Sequence, residues 1–283
     1  MSSACDSCPS KDGCTSQDTC PTANGAPAKE PLAQGSNIKK VIGIASGKGG
    51  VGKSFVTSAL AVSLARKGLK VGIMDADVTG PSIPQSFGLT ENLQANAEGL
   101  IIPAETKTGI KAVSVNLLLE NKEAPVIWRG PVLNSLVRQF WGQTDWGTLD
   151  VLLIDMPPGT GDVPLTVFQA IPIDGIVLVA TSQDLVSMIV NKARNMASMM
   201  NVKVLGLVEN MSYIKCPDCG KEIRLYGDGS NLEKSASEIG ASVLDSIPLD
   251  PEVTKLVDSG NTEQTAEDIL KGTTDMCLKL TGS

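Results

Sequence analysis

Short, continuously apolar runs recur along the chain from residue 38 onward. They are Lys40-Val41-Ile42-Gly43-Ile44-Ala45, Val71–Met74, Val151–Ile154, Gly175–Ala180 and Val204–Val208. None alternates polar with apolar positions, as a strand with one wet face would. Each therefore predicts a strand buried on both faces, the pattern of parallel sheets. Stretches with helical spacing lie between them, such as Phe55–Arg66, which stops at Gly68, and Asp184–Met200. Strands alternating with helices predict an α/β fold with a mostly parallel central sheet between helical layers. Residues from Thr262 to Ser283 predict a final helix.

Residues 1–37 lack this pattern. They carry four cysteines among Ser, Thr, Asp, Gly and Pro, with almost no large aliphatic side chains. Such a segment buries too little apolar surface to fold unaided, so a flexible Cys-rich tail is expected, with Pro21–Gly35 as linker. The chain divides into that tail over 1–37 and one α/β domain over 38–283.

Composition narrows the chemistry. Aromatic residues are only 3% of 283 residues, so the core must come from Ala, Val, Ile and Leu. A net charge of −7 argues against nonspecific nucleic-acid binding, which needs Lys and Arg against phosphate. The chain contains no histidine. That excludes Ser-His-Asp and Cys-His catalysis and His-ligated metal. No run is long enough to span a bilayer, and the opening MSSACDSCPS has no apolar leader core. A cytoplasmic protein without membrane contact is expected. Seven cysteines in such a reducing compartment suggest metal or redox work more than disulfides.

Residues 46–54 read Ser-Gly-Lys-Gly-Gly-Val-Gly-Lys-Ser. Gly47, four residues, Gly52, Lys53 and Ser54 match the phosphate-binding P-loop between a strand and a helix. Glycines let backbone N–H groups approach phosphate oxygens, and the helix N-terminus adds its positive dipole end. Lys53 is expected on the β- and γ-phosphates of ATP, and Ser54 on Mg²⁺. The candidate nucleotide contacts are Gly47, Lys48, Gly49, Gly50, Val51, Gly52, Lys53, Ser54 and Phe55. Two acidic strand ends complete the set. Asp155 follows an apolar run, as a group holding Mg²⁺ through water does. Asp77 is the candidate for orienting the attacking water. Asp75, Asp150 and Asp162 read more simply as capping or turn residues.

Cys216-Pro217-Asp218-Cys219-Gly220 forms a tight Cys-x-x-Cys knuckle. Two thiolates are half of a four-ligand site, and the same pair from a symmetry mate would complete it. A dithiol redox pair or a zinc knuckle are the other readings. Cys5, Cys8, Cys14 and Cys20 form a second set that can enclose a [4Fe–4S] cluster or zinc. Cys277 reads as a small buried hydrophobe.

The GKGGVGKS loop, with Asp75-Ala76-Asp77, Trp128-Arg129-Gly130-Pro131, Asp155-Met156-Pro157-Pro158-Gly159-Thr160-Gly161-Asp162, Glu209-Asn210-Met211-Ser212 and Cys216-x-x-Cys219, resembles the Mrp/Nbp35/ApbC family. These are deviant Walker A P-loop ATPases that act as iron–sulfur cluster scaffolds and carriers. The resemblance spans roughly residues 38–260. It implies a three-layer P-loop fold and a homodimer in which Lys48 reaches the partner's nucleotide. It also implies a [4Fe–4S] cluster bridged by Cys216 and Cys219, adenine contact by Asn210, and apo iron–sulfur proteins and assembly factors as partners. The N-terminal cysteines resemble those of one branch, although here the fourth, Cys20, lies downstream of the Cys-x₂-Cys-x₅-Cys run. Two other functions share the P-loop: a positioning ATPase of the ParA/MinD type, and a nitrogenase-reductase-like electron donor.

Overall fold

The computed structural model describes residues 29–77, 80, 82–118, 130–159, 161–181, 194–195, 198–225 and 230–282. The central sheet is built from β1 (Asn37–Ala45), β2 (Val71–Asp75), β5 (Ala104–Glu105), β6 (Lys111–Val113), β7 (Thr148–Asp155), β8 (Gly175–Ala180), β9 (Val204–Glu209) and β12 (Val243–Ser246). Their spatial order is β12-β9-β8-β1-β7-β2-β6-β5. Every neighbouring pair is parallel except β5 against β6 at one edge. Each predicted apolar run lies within one of these strands. β3 (Gln94–Ala95) pairs with β4 (Ile101–Ile102), and β10 (Tyr213–Lys215) with β11 (Glu222–Arg224), in small separate ribbons.

Two apolar layers cover the sheet. One is dominated by α1 (Lys53–Arg66) and α7 (Lys271–Thr281), with Val56, Leu60 and Leu64 fully buried and Cys277 among them. The other brings α3 (Gly130–Gly142), α4 (Asp162–Ala170) and α5 (Ser230–Glu238) onto the opposite face. Phe140, Trp141, Trp146 and Phe168 fill that layer, so two of the three tryptophans are packing residues. Trp128 and Arg129 lie outside the described residues, as do most of 184–200. Of the two short helices, α2 (Ile83–Ser86) buries Ile83 in the α1 layer, whereas α6 (Pro251–Asp258) has no buried residue.

Residues 29–36 depart from the linker expectation. Glu30 N–H donates to Ala170 O at 2.8 Å, and Trp141 Nε1 donates to Glu30 O at 2.8 Å. Arg138 pairs with the Glu30 carboxylate, Lys29 donates to Phe168 O, and Ala33 is buried. Amphipathic contacts with α3 and α4 thus fix a stretch whose Pro and Gly content alone suggests freedom. The remainder of the expected tail, residues 1–28, lies outside the described residues. Among the described residues, no helix is long and apolar enough to cross a membrane.

Because the sheet is parallel, its strands end together at one rim. Asp75, Asp155 and Glu209 are the final residues of β2, β7 and β9, and the Gly-rich loop leaves β1 between them. From β1 the order runs one way through β7 and β2 and the other way through β8 and β9. Ligands of open α/β sheets collect at such a switch point.

Candidate functional site

The loop from Ser46 to Gly52 joins β1 to α1. Gly50 and Gly52 take φ of +78° and +77°, conformations that favour glycine. Gly52 is required for a second reason: a Cβ there would stand 2.1 Å from Asn210 Nδ2. That amide donates to Val51 O at 2.9 Å, so Asn210 clamps the loop backbone from the end of β9. Ser46 Oγ donates to Lys48 O at 3.0 Å, and Gly159 N–H to Ser46 O at 2.9 Å. The second contact joins the loop to the segment after β7. Gly47 and Lys48 are half-buried, whereas Gly49 and Gly50 are exposed.

Lys53 opens α1 and is buried against carboxylates. Its Nζ lies 2.8 Å from Asp155 Oδ1 and 3.4 Å from Asp77 Oδ2. Asp155, wholly buried, also accepts from Ser54 Oγ at 2.6 Å and from Thr57 Oγ1 at 2.7 Å. Lys53, Ser54, Asp77 and Asp155 therefore form one hydrogen-bonded group. A lysine, a hydroxyl and two carboxylates form an oxygen-rich set with a net negative charge, chemistry that suits a hard divalent cation.

Asp75 makes the expected turn contact, to the N–H two residues on, and it also adjoins the same group. Its wholly buried carboxylate accepts from Ser114 Oγ at 2.9 Å and from Asp77 N–H at 3.1 Å. Burial, then the neighbouring Asp155 charge, push its pKa well above the usual carboxylate range. Thr57 was missed, although its place four residues after Lys53 sets both on one helix face. Asp150 does serve as a local anchor, accepting from Lys39 Nζ at 2.6 Å and Lys70 N–H at 2.8 Å. Asp162 begins α4; Thr160 lies outside the described residues.

A cavity of about 130 Å³ opens beside Gly52. Phe55, Asn210 and Met211 line one side, and Pro248, Leu249, Asp250, Val253, Thr254, Val257 and Asp258 the other. The cavity adjoins the phosphate-loop motif at the start of α1. Its second wall had no motif to announce it.

Cys216 and Cys219 occupy the turn between β10 and β11. Cys216 N–H donates to Lys221 O and Gly220 N–H to Cys216 O, both at 2.9 Å, and Gly220 takes φ +70°. Hydrogen bonds from the Cys219 and Asp218 backbone, and from the Cys219 side chain, lower the Cys216 pKa. Cys216 is partly exposed and Cys219 exposed, and both are free thiols. Among the described residues, no group of three or more Cys, Asp or Glu side chains forms a metal site within one chain. Cys277 is the opposite case: burial pushes its thiol up to about 12. Cys5, Cys8, Cys14 and Cys20 lie outside the described residues.

Comparison with known proteins places this geometry. Residues 37–280 match the ParA-type family described as NUBPL iron-transfer P-loop NTPase. An iron-sulfur cluster carrier protein of Clostridium perfringens is 47% identical over 269 residues, covering 92% of this chain and 94% of the relative. One from Methanocaldococcus jannaschii is 44% identical over 257 residues, covering 90% and 87%. A solved nucleotide-binding protein from Archaeoglobus fulgidus, in complex with ADP and with cobalt found, superposes with a TM-score of 0.72 at 44% identity, covering 80% of this chain and 88% of that one. The Pyrococcus furiosus cell division ATPase MinD shares the fold at a TM-score of 0.60 and 19% identity, covering 86% and 99%. With its loop, acidic strand ends and family match in agreement, the chain belongs to the NUBPL iron-transfer P-loop NTPases.

Proposed function

We propose that this protein is an ATP-dependent iron–sulfur cluster carrier. It binds Mg²⁺–ATP on the loop at the end of β1 and a [4Fe–4S] cargo on Cys216 and Cys219. The observation that carries the reading is the Cys-x-x-Cys hairpin emerging from β9, the strand whose end clamps the phosphate loop through Asn210.

Lys53 forms ion pairs with Asp155 and Asp77. Triphosphate draws the ammonium onto its β- and γ-oxygens. With Mg²⁺ bound, Ser54 Oγ would ligate the ion and Asp155 would hold one of its waters, and the ion would offset charge on the phosphate oxygens. Asp77 orients a water in line with the γ-phosphorus. The new P–O bond forms from that water as the bond to the β,γ-bridging oxygen breaks, leaving ADP and phosphate. Lys48 of a second copy adds positive charge at the same phosphates, so turnover depends on the homodimer. The adenine ring lies in the cavity beside Phe55 and Asn210.

Two copies of the knuckle supply four thiolates, the number a cubane cluster needs. Lowering of the Cys216 pKa favours the thiolate that ligates iron. A cluster held at a two-fold seam is released when the seam opens, so nucleotide-dependent dimer geometry gates delivery to apo iron–sulfur proteins. Cys5, Cys8, Cys14 and Cys20 hold a second cluster. The net charge of −7 supports a carrier that avoids nucleic acid, and the free thiols suit the cytoplasm.

Anaerobic reconstitution with iron and sulfide tests the assignment. Wild type is expected to hold about four Fe per bridging cluster, a portion lost in Cys216→Ala/Cys219→Ala. Removal of residues 1–28 is expected to take the tail portion alone. Zinc, or iron unaffected by the double substitution, would overturn the ligand assignment.

A further inference from the structure

The four residues Glu209-Asn210-Met211-Ser212 touch the phosphate loop on one side and the cysteine hairpin on the other. Asn210 reaches Val51 O at 2.9 Å. Met211 lines the cavity beside Gly52 and holds φ at +56°, an uncommon conformation for a non-glycine residue. Glu209, almost wholly buried, accepts from Ser212 Oγ at 2.7 Å and Ser246 Oγ at 2.6 Å. From the hairpin, Arg224 Nη1 lies 3.7 Å from Glu209 Oε2 and donates to Ser212 Oγ at 3.4 Å.

Arg224 stands opposite Tyr213 in the β10–β11 ladder, at the end away from the cysteines. β10 is held by its peptide link to Ser212 and by Leu249 N–H donating to Tyr213 O at 2.8 Å. Among the described residues, Arg224 ties β11 to the Glu209–Ser212 turn. This side chain therefore sets the angle at which the hairpin leaves the domain. Any shift of Asn210 with the phosphate loop moves the Glu209–Ser212 turn, and Arg224 passes that movement to the thiolates.

We propose that Arg224 and Glu209 are positioning residues that couple nucleotide occupancy to the orientation of the Cys216–Cys219 hairpin. The inference deepens the carrier reading and rests on it for its purpose. The coupling itself concerns two parts of the protein without cargo. The buried Glu209 carboxylate is held here by two hydroxyls and one guanidinium, and the coupling requires that nucleotide alter this pairing.

The test is hydrogen–deuterium exchange of residues 213–224 in the full chain, with and without Mg²⁺–AMP-PNP. In wild type the nucleotide is expected to change exchange across the hairpin at least threefold. Arg224→Gln should lose that response while still binding nucleotide, and Arg224→Lys, which keeps the charge, should restore most of it. If Arg224→Gln does not fold, Glu209→Gln/Arg224→Gln removes the unpaired buried charge and carries the same expectation. A wild-type response retained in the Gln variants, or no response in wild type, would overturn the coupling. Iron content of reconstituted wild type is read separately: its absence defeats the carrier reading and leaves the exchange result standing.

Discussion

Asp75 and Asp155 are register partners on the adjacent parallel strands β2 and β7, and both carboxylates are wholly buried. Lys53 contacts Asp155 of this acidic rim directly. Burial, and then the Asp155 charge beside it, favour the neutral form of Asp75. Setting two carboxylates side by side at this rim is electrostatically unfavourable.

That arrangement has a pH signature. Asp75 has a folded pKa raised by burial and by Asp155. Its neutral form supports the fold below about pH 4, the ordinary carboxylate value, and the contribution is lost as pH rises through the folded value. Asp75→Asn keeps an acceptor for Asp77 N–H and a partner for Ser114. It should raise Tm at pH 7 by a few degrees, roughly the 2–4 °C that 1 kcal/mol produces in a domain of this size. The gain should shrink as pH falls toward 4. Thermal melts across pH check this; an equal gain at both pH values would contradict it.

Lys53→Ala leaves the buried Asp155 without its cation. Breaking a buried ion pair from one side typically costs about 3–5 kcal/mol, so denaturant melts should show a marked loss. Mg²⁺–ATP should no longer protect the variant, and ATPase activity should fall by about 100-fold or more, as when a preorganised transition-state donor is removed.

Gly52→Ala introduces a Cβ at φ +77° and 2.1 Å from Asn210 Nδ2. The left-handed conformation alone costs about 1–2 kcal/mol, and the clash breaks the Asn210 clamp on Val51. Nucleotide affinity, measured by calorimetry, should drop by about 100-fold, equivalent to about 2.7 kcal/mol. An unchanged affinity would show that the loop does not hold phosphate in this conformation.

The three described cysteines should separate by reactivity. Cys216 is on the surface with its pKa lowered by hydrogen bonds from the Cys219 and Asp218 backbone. Cys277 is buried, with its thiol pushed up to about 12. Timed iodoacetamide labelling with peptide mapping at neutral pH should modify Cys216 first and Cys277 only on unfolding. Prior loading with a cluster should protect Cys216 and Cys219 together.

The fold was readable because strands buried on both faces write themselves as unbroken apolar runs. The loop was readable because its glycines and Lys53 are contiguous. Asp75 was harder. Its capping reading is sound locally, and only the alignment of β2 with β7 brings its carboxylate against Asp155. Arg224 and Glu209 lie on separate strands, and nothing in either neighbourhood says that the hairpin folds back. Residues 29–36 misled for the same reason: Trp141 and Arg138 lie more than a hundred positions away, and they convert a linker composition into a docked strap. Local pattern specifies elements; long-range polar pairs are decided by tertiary placement.

The central claim is that nucleotide drives delivery of a cluster held by Cys216 and Cys219. The most direct measurement is transfer from the anaerobically loaded full chain to an apo [4Fe–4S] acceptor enzyme, read as recovered acceptor activity, with and without Mg²⁺–ATP. We expect wild type to transfer faster with Mg²⁺–ATP, Asp77→Ala to lose the nucleotide effect, and Cys216→Ala/Cys219→Ala to transfer only what the tail holds. Transfer at one rate in every nucleotide state, or undiminished without the two cysteines, would contradict the account.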